Sequence, residues 1–229
     1  MSSAALSLGQ SHDVLRDLLH SVSQPLTTLH CALESSLTRD EVDHAEDVSL
    51  ALEQTDRVIE AVRLMREYLD AEQGCSSPAG TVAPVALNSA IDNVLQQLSV
   101  LAAARGVHLF ACGASKARIP VRDAWLQRAF LYLVGVLIDN EPPGRSIIVL
   151  LEDRAEQSVL SGHSLPFASL PQSPARPAPL PNSLQQVKVA IAQRALESAG
   201  ASVEFFADHN PGFTVRVPRP ASAHNELSA

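Results

Sequence analysis

The spacing of apolar residues in the first third constrains this chain most. Leu15, Leu18, Val22, Leu26, Leu29 and Leu33 recur at intervals of 3 or 4. At about 100° per residue they fall within roughly 80° of arc, which predicts an amphipathic helix over 11–37. Thr38-Arg39-Asp40 is a short break. From about Asp40 to Glu72, the positions Val48, Leu52, Thr55, Ile59, Val62, Arg66 and Leu69 keep a heptad rhythm, with Thr55 and Arg66 as polar exceptions. Two long helices with a tight turn between them form an antiparallel hairpin. A lone hairpin cannot bury both stripes fully, and pairing two hairpins into a four-helix bundle is the usual solution. A homodimer through helices 11–37 and 40–72 is therefore expected, with residues 1–10 frayed.

Beyond the hairpin the period changes. Gly74–Pro84 reads as a linker, which sets the expected divisions at 1–74, 75–84 and 85–218, with a disordered tail over 219–229. Asn88 is a candidate N-cap for a helix to about Arg105, and Gly106 suits its C-terminal cap. Val107–Cys112 reads as a strand, Arg122–Ile138 as a strongly apolar helix stopped by Pro142-Pro143-Gly144. Ser146–Leu151 reads as a buried strand with Gln157–Leu160 as its partner, and His163–Asn182 as a proline-rich loop. Ser183–Ala199 is a helix closed by Gly200, and Ser202–Phe206 and Phe213–Val217 are the last strands, joined by a turn at Asn210-Pro211-Gly212. Helices on one face of a mixed sheet make this half α+β.

Composition narrows the function. Seventeen basic against twenty-five acidic residues leave a net charge of −8, which disfavours nucleic acid or an anionic membrane as the main partner. No run approaches the about 18 apolar residues of a membrane span, and the N-terminus lacks a basic region followed by an apolar stretch. Cys31, Cys75 and Cys112 lie far apart with no metal-ligand spacing, which reads as reduced thiols in a cytoplasmic protein. Ten glycines fall below the roughly 16 that average usage would give. Six prolines lie between Pro166 and Pro181, and Gly162 is the one glycine between Arg145 and Ala199. A glycine-rich phosphate cradle is thus disfavoured in the second half. HExxH, GxSxG, Walker A and dinucleotide fingerprints are all missing.

The first helix holds the candidate site. His20 and Gln24 lie one turn apart, with Ser23 and Thr27 flanking them, on the face away from the apolar stripe. Pro25 sits inside the helix, where it removes the hydrogen bond to the Ser21 carbonyl and bends the axis. His20-x-x-x-x-Pro25-Leu26-Thr27, followed by a heptad helix, resembles the dimerisation and phosphotransfer domain of bacterial sensor histidine kinases. The resemblance implies that His20 is the phosphoacceptor. A neutral imidazole nitrogen can attack a phosphoryl group, and the phosphoramidate passes readily to a receiver Asp. The family usually places Asp or Glu after the His as a base for autophosphorylation, and Ser21 stands there. Gln24 matches a position that the family often uses to orient a hydrolytic water, while Ser23 and Thr27 would line a partner surface.

The similarity continues to about residue 218. Pro84–Asn88, Ala103–Val107, Leu126–Val149, and Leu196–Glu204 with Phe213–Pro218 resemble parts of the family's ATP-binding domain. The asparagine that holds Mg²⁺ falls on Val136, and the earlier asparagine of that box on Tyr132; Asn140 could serve only if the helix slipped by a turn. The Asp-x-Gly-x-Gly box is replaced by Leu160–Pro166, and the glycines of the ATP lid by Pro171–Ser183. Mg²⁺ needs oxygen donors, and proline has no N–H to offer a phosphate. The expected fold is thus an α+β chain: a two-helix hairpin forming a dimeric four-helix bundle, then a degenerate histidine-kinase-type ATPase-like α/β sandwich. The expected function is relay of phosphate between response-regulator receiver domains through His20, without ATP-dependent autokinase activity. No cofactor is expected on this chain, since any Mg²⁺ would come with the receiver. Two other readings stay open: a non-enzymatic pseudokinase or response-regulator phosphatase, and a divergent histidine kinase.

Overall fold

A computed structural model of the chain describes residues 3–38, 44–74, 83–166, 183–206 and 211–218. It divides into two compact units, Met1–Gly74 with Asn182–Ala190, and Cys75–Pro181 with Ile191–Ala229.

The first unit is built on helices α1 (Ser3–Thr38) and α2 (His44–Gly74), which pack on one another. α1 begins eight residues before the expected start, because Ala4, Ala5 and Leu6 are good helix formers and Gly9 alone does not break the run. The expected stripe is also rotated. Over residues 14–35 of α1 the buried positions are Leu18, Ser21, Pro25 and Ala32, whereas Leu26 and Leu33 are about half exposed, at 46% and 50%. A two-helix contact covers only a narrow seam of small and bent positions, so the rest of the stripe stays open. On α2 the seam is Gln54, Ala61, Leu64, Tyr68 and Ala71. Its solvent side carries i,i+4 and i,i+3 ion pairs, Glu53–Arg57 and Glu60–Arg63. The Ser21 hydroxyl is hydrogen-bonded to the Asp17 carbonyl and to the Ser183 hydroxyl, each at 2.7 Å.

The second unit has two layers. Strands β2 (His108–Gly113), β4 (Arg145–Asp153), β5 (Gln157–Pro166), β7 (Gly212–Pro218) and β6 (Ser202–Phe206) form one sheet in the order β2-β4-β5-β7-β6. Only β2–β4 is parallel; the other pairs are antiparallel. A two-residue pair, β1 (Val85–Ala86) with β3 (Arg118–Ile119), stands apart. Helices α3 (Leu87–Ala104) and α4 (Asp123–Asn140) belong to this unit, as does the Ile191–Glu197 part of α5 (Ser183–Glu197). One face of the sheet is core: Ile147, Val149, Leu151, Leu160, Phe213 and Val215 are all buried. The opposite face carries Phe110, Leu165 and Glu204, which are exposed, and half-buried Ile148.

Local chemistry explains most boundaries. α3 ends in a Schellman arrangement: Gly106 has φ 68°, its N–H donates to the Ala103 carbonyl, and the Val107 N–H donates to Ala102. Gly200 closes α5 with φ 81°. Asn88 is not the N-cap of α3. That position is Ala86, which makes no side-chain cap, and Asn88 Oδ1 instead accepts the Ser115 N–H at 2.9 Å. The strand expected over Gln157–Leu160 runs on to Pro166, so His163–Pro166 are strand rather than loop. β4 supplies partners all along that extension, and β7 as far as His163. Most of the linker, the remainder of the proline-rich stretch and the tail lie outside the described residues.

Candidate functional site

His20, Ser23, Gln24, Thr27 and Thr28 line one open depression of about 360 Å³ on α1. All five side chains are exposed. The four residues expected on one polar face are therefore brought together, and Thr28 joins them. Thr28 was missed by the sequence reading, although it lies eight positions after His20 and so completes the row His20, Gln24, Thr28 along one side of the helix.

The hydrogen bonds sort these side chains by availability. Ser23 Oγ donates to the Leu19 carbonyl at 2.8 Å, Thr27 Oγ1 to Ser23 at 2.9 Å, and Thr28 Oγ1 to Gln24 at 3.2 Å. Each hydroxyl proton is thus engaged one turn back along the helix. The His20 ring and the Gln24 carboxamide make no hydrogen bond among the described residues, so they are the groups able to engage a ligand without breaking a contact. Pro25 is buried behind them. It has no N–H for the Ser21 carbonyl, which loosens the turn that carries His20. Ser21, next to His20, is buried and bonded to Asp17 and Ser183.

The positions that the resemblance sets against a nucleotide site have a different character. On α4, Val136 is 1% exposed and Tyr132 8%, and Asn140 is buried at the last turn. Val136 offers no oxygen to a cation. Among the described residues no group of three His, Cys, Asp or Glu side chains could hold a metal ion. Leu160–Pro166 is paired strand, and Gly162 in it lies under the ring of Phe213: a Cβ built on Gly162 would stand 2.3 Å from Phe213 Cε1. The glycine makes room for a core ring.

The other notable polar cluster of this unit is structural. Asp153 accepts hydrogen bonds from Ser115 Oγ at 2.6 Å, Ser158 Oγ at 2.7 Å and the Lys116 N–H at 3.1 Å. It ties the segment after β2 to the β4–β5 hairpin.

No helix among the described residues is long and apolar enough to cross a membrane. No protein-family model matches the sequence, and no curated protein matches it. Solved structures do match. The histidine kinase AdeS of Acinetobacter baumannii superposes with a TM-score of 0.63 at 10% identity, over 87% of this chain and 97% of that one. Full-length ShkA, solved in complex with AMPPNP, gives 0.53 at 12% identity, over 90% of this chain and 45% of that one. At such identities the likeness speaks for the fold. A helical hairpin followed by a five-stranded sheet with helices on one face, in this order, is the histidine-kinase-like core, and this chain has it.

Proposed function

We propose that the chain is a histidine phosphotransfer protein of two-component signalling, which exchanges phosphate with receiver domains through His20 and takes none from ATP. The observation that carries this reading is the depression on α1, where His20 and Gln24 are the two side chains free to meet a ligand. In the forward step an unprotonated imidazole nitrogen of His20 attacks the phosphorus of a receiver's aspartyl phosphate. The N–P bond forms, the P–O bond to the aspartate breaks, the aspartate leaves as a carboxylate, and the other ring nitrogen keeps its proton. The reverse step loads a second receiver. The receiver brings the Mg²⁺ that neutralises the phosphoryl oxygens.

The ATP half of a kinase cycle lacks support in the residues. The buried Val136 and Tyr132, the paired strand over Leu160–Pro166 and the ring over Gly162 argue against binding of nucleotide. Ser21 also supplies no carboxylate base beside His20.

Dimerisation follows from the surface of the hairpin. Leu19, Leu26 and Leu33 are exposed at intervals of seven on α1, and Val48, Leu52, Ile59, Val62 and Leu69 are exposed on α2. Two such stripes call for a second hairpin, with the apolar seams buried in a four-helix bundle. A single chain exposes too many large apolar side chains there to be its final state.

The test mixes the protein with a panel of phosphorylated receiver domains and follows acid-labile, base-stable phosphate. Wild-type protein gains label and passes it to fresh receiver. His20→Ala gains none. Equal labelling of His20→Ala refutes the reading. Gln24 favours one second reading, a receiver phosphatase that orients water: release of inorganic phosphate from the receiver, unchanged in His20→Ala and lost in Gln24→Ala, would establish it instead.

A further inference from the structure

The sequence from Asn93 to Ser115 carries one formal charge, Arg105, in a chain whose charged fraction is 18%. That charge is paired, since Arg105 Nη2 lies 3.0 Å from Asp139 Oδ1. This stretch builds the second half of α3 and all of β2, which pack on each other. It is not buried. Val100 is 77% exposed, Leu101 39% and Phe110 44%. Phe110 stacks on His108 with ring centroids 6.5 Å apart, and both rings are exposed.

β2 is also an edge. It pairs with β4 alone among the described residues, so alternate residues turn N–H and C=O groups outward with no strand to meet them. Edge strands are commonly protected by charge, proline or a bulge. The other edge of this sheet follows that rule: on β6, Glu204 is exposed and pairs with Arg216 of β7. β2, with the sequence His-Leu-Phe-Ala-Cys-Gly, contains no charge and no proline.

We infer that β2 and the outer side of α3 form a second self-association surface, at which a second copy of this chain adds its own β2 antiparallel to this one. Three features select that occupant. Backbone groups turned away from β4 are satisfied by another strand. The contact is isologous, so each residue meets the same patch and no like charges are brought together. With a net charge of −8, two copies repel over most of their surface, and this stretch contributes no carboxylate, the nearby Asp139 being paired with Arg105. The joined sheets would run through both copies, with Val100 and Leu101 of the two α3 helices alongside. This surface is separate from the exposed stripes of the hairpin and does not depend on any role of His20.

Sedimentation velocity on the full-length chain tests it, in four forms: wild type, the hairpin variant Ile59→Glu/Val62→Glu, and the hairpin variant carrying in addition either Phe110→Lys or Val100→Lys. All the altered side chains are exposed, and circular dichroism checks that each form folds. If the inference holds, the hairpin variant still dimerises. Adding Phe110→Lys or Val100→Lys to it weakens that dimer by about tenfold or more. Hydrogen exchange at Leu109–Gly113 slows as the concentration of the hairpin variant rises. A hairpin variant that stays monomeric overturns the inference, as does a dimer indifferent to both lysines. Failure of the hairpin reading has a different signature: Ile59→Glu/Val62→Glu then leaves the wild-type oligomer unchanged.

Discussion

Replacing Gly162 by alanine tests whether the lone glycine of this region serves packing. The new Cβ would lie 2.3 Å from Cε1, 2.7 Å from Cζ and 3.0 Å from Cδ1 of Phe213, where ordinary contact begins at 3.4 Å. The ring must withdraw by about 1 Å, and it is fully buried, so its neighbours must yield too. Overpacking of this kind costs about 1–3 kcal/mol. Gly162 has no positive φ, so alanine also gains about 0.5–1 kcal/mol from the reduced freedom of the unfolded chain. The net expectation is a loss of about 1–2 kcal/mol. Trp125, the single tryptophan, lies on α4 in the same unit and reports its urea unfolding by fluorescence. Phe213→Leu removes Cε1 and Cζ, the two nearest atoms, so Gly162→Ala should cost about 1 kcal/mol less in that background. A neutral or stabilising Gly162→Ala, or strict additivity with Phe213→Leu, would refute the reasoning.

Other consequences are equally direct. Asp153→Ala strands the Ser115 and Ser158 hydroxyls and the Lys116 amide, and should lower the stability of the second unit by about 2 kcal/mol in the same assay, with Asp153→Asn costing less. Arg145→Met leaves the Glu141 carboxylate, whose side chain is 2% exposed, without its 3.0 Å partner; a loss of about 3 kcal/mol is expected, and Glu141→Gln in the same background should restore part of it. For Glu60, burial alone would raise the pKa, but the hydrogen bond from Arg63 and the charge of Lys188 outweigh it and hold the carboxyl below 4.5. A depressed carboxylate adds stability above its unfolded pKa and loses it as pH falls through the folded value. Acid unfolding followed by circular dichroism should therefore show a stability loss of the first unit below about pH 4.5 that is smaller in Glu60→Gln.

The sequence carried the elements whose causes are local. The 3–4 spacing announced α1 and α2, Gly106 and Gly200 announced helix ends, and the apolar runs announced β4 and β6. What escaped it depends on partners distant in sequence. Nothing near Gln157 indicates that β5 runs on to Pro166; pairing with β4, joined by β7 as far as His163, decides it. Asn88 has the chemistry of a cap, yet Ser115, which is brought beside it by the fold, takes its carbonyl. The stripe of α1 was legible, but which part faces α2 was not, because Ser21 and Pro25 sit in the seam against their polarity and shape. At the site, the grouping of His20, Ser23, Gln24 and Thr27 follows from helical geometry alone. The engagement of their hydroxyls, which leaves His20 and Gln24 available, required coordinates. That Val136 and Tyr132 stand where the resembled family has asparagines was visible as letters, whereas the use of Gly162 as room for Phe213 was not.

The central claim is that phosphate reaches His20 from a receiver and not from ATP. It is tested most directly by incubating the protein with γ-labelled Mg-ATP in one arm and with a labelled phospho-receiver in the other, then mapping the label by peptide mass spectrometry. The account predicts phosphohistidine at His20 in the receiver arm alone. Label at His20 in the ATP arm, or label from the receiver at any residue other than His20, would contradict it.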